Sequence, residues 1–225
     1  MGGCPHFNIG GVLMLKVLNL YAGMGGNRKL WEDVEVTAVE YKPEIARIYR
    51  HFFPEDKVIV ADAHRFLLDH FKEYDFIWSS PPCPTHSRLC TLNYSESELS
   101  PRSSTPVKFP DMRLYEEILL LQYWFKGKYC VENVISYYNP LIKPQKINNH
   151  YFWSNFIITK IKMITRGILD RGEYGVDYIS KLMDFNFNNL KITRSLKIKI
   201  LNNCVEPSTG LHILNCARHM PQKRL

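Results

Sequence analysis

The sequence predicts one α/β domain built on a central, mostly parallel sheet, and three observations carry that prediction. Through the first 80 residues, short apolar runs alternate with single amphipathic stretches, the pattern of right-handed crossovers between parallel strands. Each run stops at turn-forming residues, so chemistry is expected just beyond the carboxyl ends of the strands. The chain has 225 residues, 45% hydrophobic and 23% charged, enough to bury one core and too few for two full domains.

The elements follow in order. Residues 15–21 read as a first strand, broken by Gly23-Met24-Gly25-Gly26, with a short helical stretch expected to reach Trp31. Residues 34–41 form a second strand, and Pro43 suits the first turn of a helix running to His51. A third strand at 57–61 precedes a helix at 64–71, and a fourth at 74–80 is stopped by Pro81-Pro82. Residues 83–110 are rich in Ser, Thr, Pro and Arg without apolar periodicity, which at this length suits a functional lid. Asp111 opens a helix with Leu114, Ile118, Leu119 and Gln122 at helical spacing, and Gly127 ends it. A fifth strand at 128–131 leads into Glu132-Asn133-Val134, and a sixth is expected at 151–159. Between 163 and 190 the pattern fades; 191–201 looks regular again, and 209–217 reads as a helix.

Composition narrows the function classes. The apolar stretches 12–20 and 118–125 are short or interrupted by Lys16, Asn19 and Gln122, so no membrane span is expected. Residues 1–10 lack a basic segment followed by a long apolar one, so no secretory signal is expected. Six well-separated cysteines in a chain this large read as reduced thiols of a cytoplasmic protein. Residues 1–140 carry 15 Lys and Arg against 17 Asp and Glu, whereas 141–225 carry 14 against 5. A near-neutral body with a basic end suits a protein that neutralises phosphates, or simply a solvated basic surface.

The strand ends hold the candidate chemistry. The turn Tyr21-Ala22-Gly23-Met24-Gly25-Gly26 lets backbone approach a ligand closely, although a glycine turn can be only a turn. Glu40 ends the second strand, where a carboxylate accepts ribose hydroxyls or merely faces solvent. Tyr41 stacks on an adenine or packs, and Asp62 after the third strand accepts an adenine amino group. The prolines of Ser80-Pro81-Pro82-Cys83-Pro84 hold Cys83 at the rim of the same cleft. Flanked by His86 and Arg88 and near strand-end dipoles, its thiol is expected to shift towards thiolate and act as a nucleophile; the alternative is a small packing residue. Glu132 on the fifth strand is expected to hold a proton near neutral pH beside it, or to be a structural ion-paired Glu.

Taken in order, these segments resemble the motifs of the DNA cytosine-5 methyltransferases. Leu20-Tyr21-Ala22-Gly23-Met24-Gly25-Gly26 is similar to the family's turn for S-adenosylmethionine, Val39-Glu40-Tyr41 to its second motif and Asp62-Ala63 to its third. Ser80-Pro81-Pro82-Cys83 is similar to the catalytic Pro-Cys motif, Val131-Glu132-Asn133-Val134 to the Glu-Asn-Val motif, and Asn202-Asn203-Cys204-Val205-Glu206-Pro207 to the last. The resemblance implies a Rossmann-like class I S-adenosylmethionine-dependent methyltransferase, with a central mostly parallel sheet and a short C-terminal recognition insert. Its catalytic domain would comprise 12–156 and 196–225, with a reduced target-recognition insert at 157–195.

The resemblance further implies S-adenosylmethionine as methyl donor, S-adenosylhomocysteine as product, no metal, and DNA as partner. Tyr21, Ala22, Gly23, Gly25, Gly26, Glu40, Tyr41, Asp62, Ala63, Ser80, Pro81 and Asn203 would surround the cofactor. Cys83 would attack C6 of a flipped cytosine, Glu132 would contact N3, and Asn133 would place the Pro-Cys turn. Ser87, Arg88 and Arg166 would contact DNA, beneath a lid at 84–110. The economy of length suggests a minimal enzyme of phage or prophage origin, working in a bacterial or phage-infected cytoplasm.

The sequence departs from the family in places. Pro84 stands where the family has Gln, and no Gln-x-Arg element follows the Glu-Asn-Val motif; Asn149-His150-Tyr151-Phe152-Trp153 stands there instead, leaving His150 or Arg166 to contact the base. The rival readings are the same chemistry on RNA, as in tRNA cytosine-5 enzymes, and a catalytically silent DNA-binding homologue. Amino-methyltransferases carry an aromatic residue where Cys83 stands. Cys204, His212, Cys216 and His219 form a weaker zinc alternative.

Overall fold

The computed structural model describes residues 14–87, 109–161 and 173–222. Seven strands form one sheet in the order β3-β2-β1-β4-β5-β7-β6. β1 (Leu15–Leu20), β2 (Val34–Glu40), β3 (Lys57–Val60), β4 (Phe76–Ser79) and β5 (Lys128–Val134) pair in parallel, so their carboxyl ends share one edge. β7 (His150–Ser154) runs antiparallel to β5, and β6 (Gln145–Ile147) antiparallel to β7.

Period-two alternation explains why these runs are strands buried on both faces. Val17, Val36, Phe76, Trp78 and Phe152 point to one side, where Ile213, Leu214 and Ala217 of α6 (Pro207–His219) cover them. Leu18, Leu20, Val39, Ile77 and Val131 point to the other, against Leu67 of α2 (Ala63–His70) and Leu114, Ile118 and Leu121 of α3 (Arg113–Trp124). α1 (Pro43–Phe52) begins on Pro43, carries Glu44 in its first turn and Arg50 in its last, and so suits its own dipole.

Several sequence expectations need correction. Residues 25–31 form successive i→i+3 turns rather than a helix: Arg28 N bonds Gly25 O (3.1 Å) and Trp31 N bonds Arg28 O (3.0 Å). The Arg28 guanidinium forks onto Asp56 and takes the Trp31 carbonyl at 2.8 Å, an acceptor that a continuing helix would need. The sixth expected strand is shorter, because the Phe156 carbonyl turns away to accept from Gln145 Nε2 and Ser154 Oγ, each at 2.8 Å. β6 is added beside it. In the segment without clear periodicity, α4 (Glu173–Leu182) puts Val176 and Ile179 into one apolar cluster with Ile45 and Ile48 of α1 and Ile200 of α5 (Arg194–Asn202). α4 and α5 are therefore packed onto α1. Among the described residues no helix is long and apolar enough to cross a membrane.

Candidate active site

The carboxyl edge of the parallel strands opens into a cleft of about 720 Å³. Tyr21, Gly23, Glu40, Tyr41, Asp62, Ala63, Ser80, Pro81, Cys83, Glu132, Asn133 and Asn203 all line it. Residues up to 182 positions apart in the chain, from Tyr21 to Asn203, thus meet at one sheet edge.

The glycine turn leaves β1 through left-handed backbone at Tyr21 (φ 54°), Gly23 (φ 55°) and Gly25 (φ 85°). Gly23 N–H donates to Glu40 Oε2 (3.1 Å) and Lys42 N–H to Oε1 (2.9 Å), which orients the Glu40 carboxylate with lone pairs to spare. Tyr41 is 70% exposed, so its ring is a free face and not a packing group. Asp62 caps α2, its Oδ1 accepting from Arg65 N–H at 3.0 Å.

Ala22, Gly25 and Gly26 are not among the lining residues; they are buried behind it. A Cβ on Gly25 would overlap the Phe53 ring, and one on Gly26 would overlap Cys204 Sγ and the Val205 carbonyl oxygen. Their contribution to the cleft is close packing rather than contact. Gly26→Ala should accordingly cost about 2 kcal/mol in chemical denaturation; a change below about 0.5 kcal/mol would show that the last motif does not press on the turn.

The Cys83 end of the cleft is built by two strands. Asn133, buried on β5, donates from Nδ2 to the Pro81 carbonyl at 3.0 Å and so ties down the Pro-Pro-Cys turn. His86 and Ser87 N–H both return to the Cys83 carbonyl, at 2.9 and 3.0 Å. Cys83 itself is partly buried and lines the cleft. The expected shift towards thiolate is not what the structure gives. Burial, and then the nearby charge of Glu132, push the thiol above its usual value. His86 does not offset them, because it is 1% exposed and burial lowers its own pKa. Arg88, the other cation invoked for that shift, lies outside the described residues, as do Arg166 and most of the lid.

Glu132 is buried on β5, and its Oε1 is 2.7 Å from His150 Nδ1. The antiparallel register explains the meeting. Phe152 stands opposite Glu132 and Val134 opposite His150, so Glu132 and His150 are diagonal neighbours on one face. Ser87 forms a bridge to Ser136 and is not among the cleft-lining residues. Lys42, Arg113 and Lys199 add positive charge to the lining.

One group was not anticipated at all. Glu117 of α3 is fully buried, with Oε1 accepting from Tyr21 OH (2.6 Å) and His64 Nδ1 (3.1 Å) and Oε2 from Ser79 Oγ (2.6 Å). The available signal was position: Glu117 sits three residues after Leu114 on the apolar stripe that continues to Ile118 and Leu121. His64 also reaches Glu116 at 3.2 Å, and with a carboxylate at each ring nitrogen it is held above its ordinary pKa, chiefly by the hydrogen bond to Glu117. A raised histidine stabilises the fold fully below its unfolded pKa, and that stabilisation is lost as pH rises through the folded value. Thermal stability should therefore fall from slightly acid to alkaline pH by a margin that His64→Gln removes. Parallel curves for the two proteins would contradict the pairing.

Around the zinc alternative, His212 Nε2 lies 2.8 Å from the Thr159 carbonyl and 3.6 Å from Cys216 Sγ. Among the described residues no three His, Cys, Asp or Glu side chains group to hold a metal.

The strand order, with its single reversed β7, and the cleft at the switch edge define a Rossmann-like α/β fold. Residues 15–98 match the family model described as C-5 cytosine-specific DNA methylase, bearing out the resemblance over that span. No curated protein matches the chain. Among solved structures it is similar to a putative methyltransferase, YhhF, of Escherichia coli, at 14% identity over 62% of this chain and 74% of that one (TM-score 0.40). It is also similar to a SAM-dependent methyltransferase of Agrobacterium tumefaciens, at 15% identity over 56% and 40% (TM-score 0.36). A DNMT2 variant of Spodoptera frugiperda is 24% identical over 53% of this chain and 35% of that one (TM-score 0.34).

Proposed function

We propose that the protein methylates C5 of cytosine in DNA through a transient covalent bond to Cys83. The observation that carries this is the convergence of Cys83, Glu132 and Glu40 in a single cleft. The residues fit S-adenosylmethionine: the Glu40 carboxylate, held by two N–H groups, is free to accept a pair of ribose hydroxyls, and the bare Tyr41 ring offers a face to adenine. Bound there, S-adenosylmethionine supplies an electrophilic methyl group on a sulfonium.

The chain's own residues do the rest. Cys83 Sγ bonds to C6 of the cytosine as its thiol proton passes to the Glu132 carboxylate, which delivers a proton to ring N3. The C5–C6 π electrons, now an enamine, form the new carbon–methyl bond. Loss of the C5 proton to solvent or a base then expels the Cys83 thiolate, and return of the N3 proton to Glu132 restores the neutral ring. A thiol pushed up in the free protein suits this order, since deprotonation is coupled to attack on a bound base. His150, which lines the cleft and is hydrogen-bonded to Glu132, is the candidate for the base contact that the family's arginine would make.

DNA is favoured over RNA by the matching family's description, and Lys42, Arg113 and Lys199 at the cleft suit a phosphate backbone. The test is incubation with labelled S-adenosylmethionine and unmethylated DNA or tRNA, followed by nucleoside analysis. 5-Methylcytosine from DNA is expected. The same product only from tRNA would replace the polymer, and N6-methyladenine or no product would overturn the reading.

A further inference from the structure

We propose that Glu117, which lies outside the cleft, is a positioning residue that sets the spacing between the cofactor turn and the nucleophile turn. This rests on the methyltransferase reading above for its chemical meaning, but on geometry alone for its existence. Of the five strand ends that supply the cleft, one carboxylate holds the segments at three, β1, β3 and β4, from behind. Tyr21, where the chain leaves β1 in left-handed backbone, donates its hydroxyl to Oε1. Ser79, the last residue of β4 and immediately before Ser80-Pro81-Pro82-Cys83, donates to Oε2. His64, in the first turn of α2 directly after Asp62-Ala63, meets Oε1.

The arrangement is not incidental packing, because a fully buried carboxyl group costs several kcal/mol unless its oxygens are satisfied. Here every bond it receives comes from a residue in, or next to, a cleft-lining segment. The Tyr21 and Ser79 side chains lie 96 and 38 residues from Glu117 in sequence, so no local turn could hold them at this separation. Both bonds are short, which fixes the turns relative to α3 and hence to each other. In a methyl transfer the donor carbon and the attacked carbon must be aligned closely, and a misplacement of about 1 Å costs on the order of 10²-fold in rate. Binding of the donor alone tolerates such a shift far better.

Glu117→Gln preserves size but turns one oxygen into a donor that faces donors. It is expected to lower kcat by about 10²-fold while S-adenosylhomocysteine affinity, measured by calorimetry, stays within about threefold. Tyr21→Phe, Ser79→Ala and their double variant provide the same test should Glu117→Gln fail to fold. If the carboxylate ties the two turns together, the second loss in kcat is small once the first has been made. Additive losses, or losses in kcat matched by equal losses in affinity, would overturn the proposal. A crystal structure of Glu117→Gln or of the double variant gives a readout independent of activity: the separation of Gly23 and Cys83 should change by about 1 Å, and an unchanged separation would also overturn it. If the wild type binds S-adenosylhomocysteine but makes no methylated cytosine, the functional reading falls, and the crystallographic comparison still decides the spacing.

Discussion

Cys83→Ser is expected to reduce methyl transfer by at least about 10³-fold, as loss of a nucleophile does elsewhere, and to leave S-adenosylhomocysteine binding intact. The argument is local. Cys83 is fixed by Pro81 and Pro82, by the Asn133 bond to the Pro81 carbonyl, and by the two N–H groups that return to its own carbonyl. A serine occupies that position without disturbing those bonds, so the variant should fold and bind cofactor product. What it lacks is a soft, readily expelled sulfur for C6. Turnover within tenfold of wild type would remove Cys83 from the chemistry.

Glu132→Gln is expected to cost about 10²–10⁴-fold in kcat, the range for loss of a positioned proton donor. The same substitution should have the opposite effect on Cys83. Burial is the main reason the thiol is raised and the Glu132 charge the second, so removing that charge lowers the thiol towards its ordinary value. Alkylation of Cys83 by iodoacetamide, followed by peptide mapping at mildly alkaline pH, should therefore quicken in the variant whose catalysis has slowed. The sign follows directly, because only the thiolate reacts and a smaller fraction is thiolate when the pKa is high. Faster alkylation with slower methylation separates a general proton role for Glu132 from simple damage to the cleft, which would slow or scramble both. Equal catalysis in Glu132→Gln and wild type would assign Glu132 to the His150 hydrogen bond alone.

Much of this site was legible because the fold repeats one rule. Each apolar run had to become a strand, each strand had to end at a turn, and Glu40, Asp62 and the Pro-Pro-Cys turn follow three successive parallel strands. Properties that depend on distant partners were not legible. Glu117's place on the apolar stripe of α3 was readable, but the approach of Tyr21, His64 and Ser79, which satisfies its buried carboxylate, was not. The direction of the Cys83 shift followed its flanking residues in the sequence, but burial of both the thiol and His86 decides it in the fold. His150 could be named as a candidate, yet its bond to Glu132 comes from the β5–β7 register, and β6 is only three residues long. α4 was hidden by the polar stretch that surrounds Val176 and Ile179, the residues that pack on α1.

The claim that a sulfur–carbon bond forms at Cys83 can be met head-on with DNA carrying 5-fluorocytosine. Fluorine replaces the proton that must leave C5, so the ring cannot be restored and the protein should stay attached after denaturation. With S-adenosylmethionine present, a denaturant-stable complex is expected, with the DNA mapped to the Cys83 peptide and no complex from Cys83→Ser. Methylation of ordinary cytosine DNA without any such complex, or attachment at a different residue, would contradict the account.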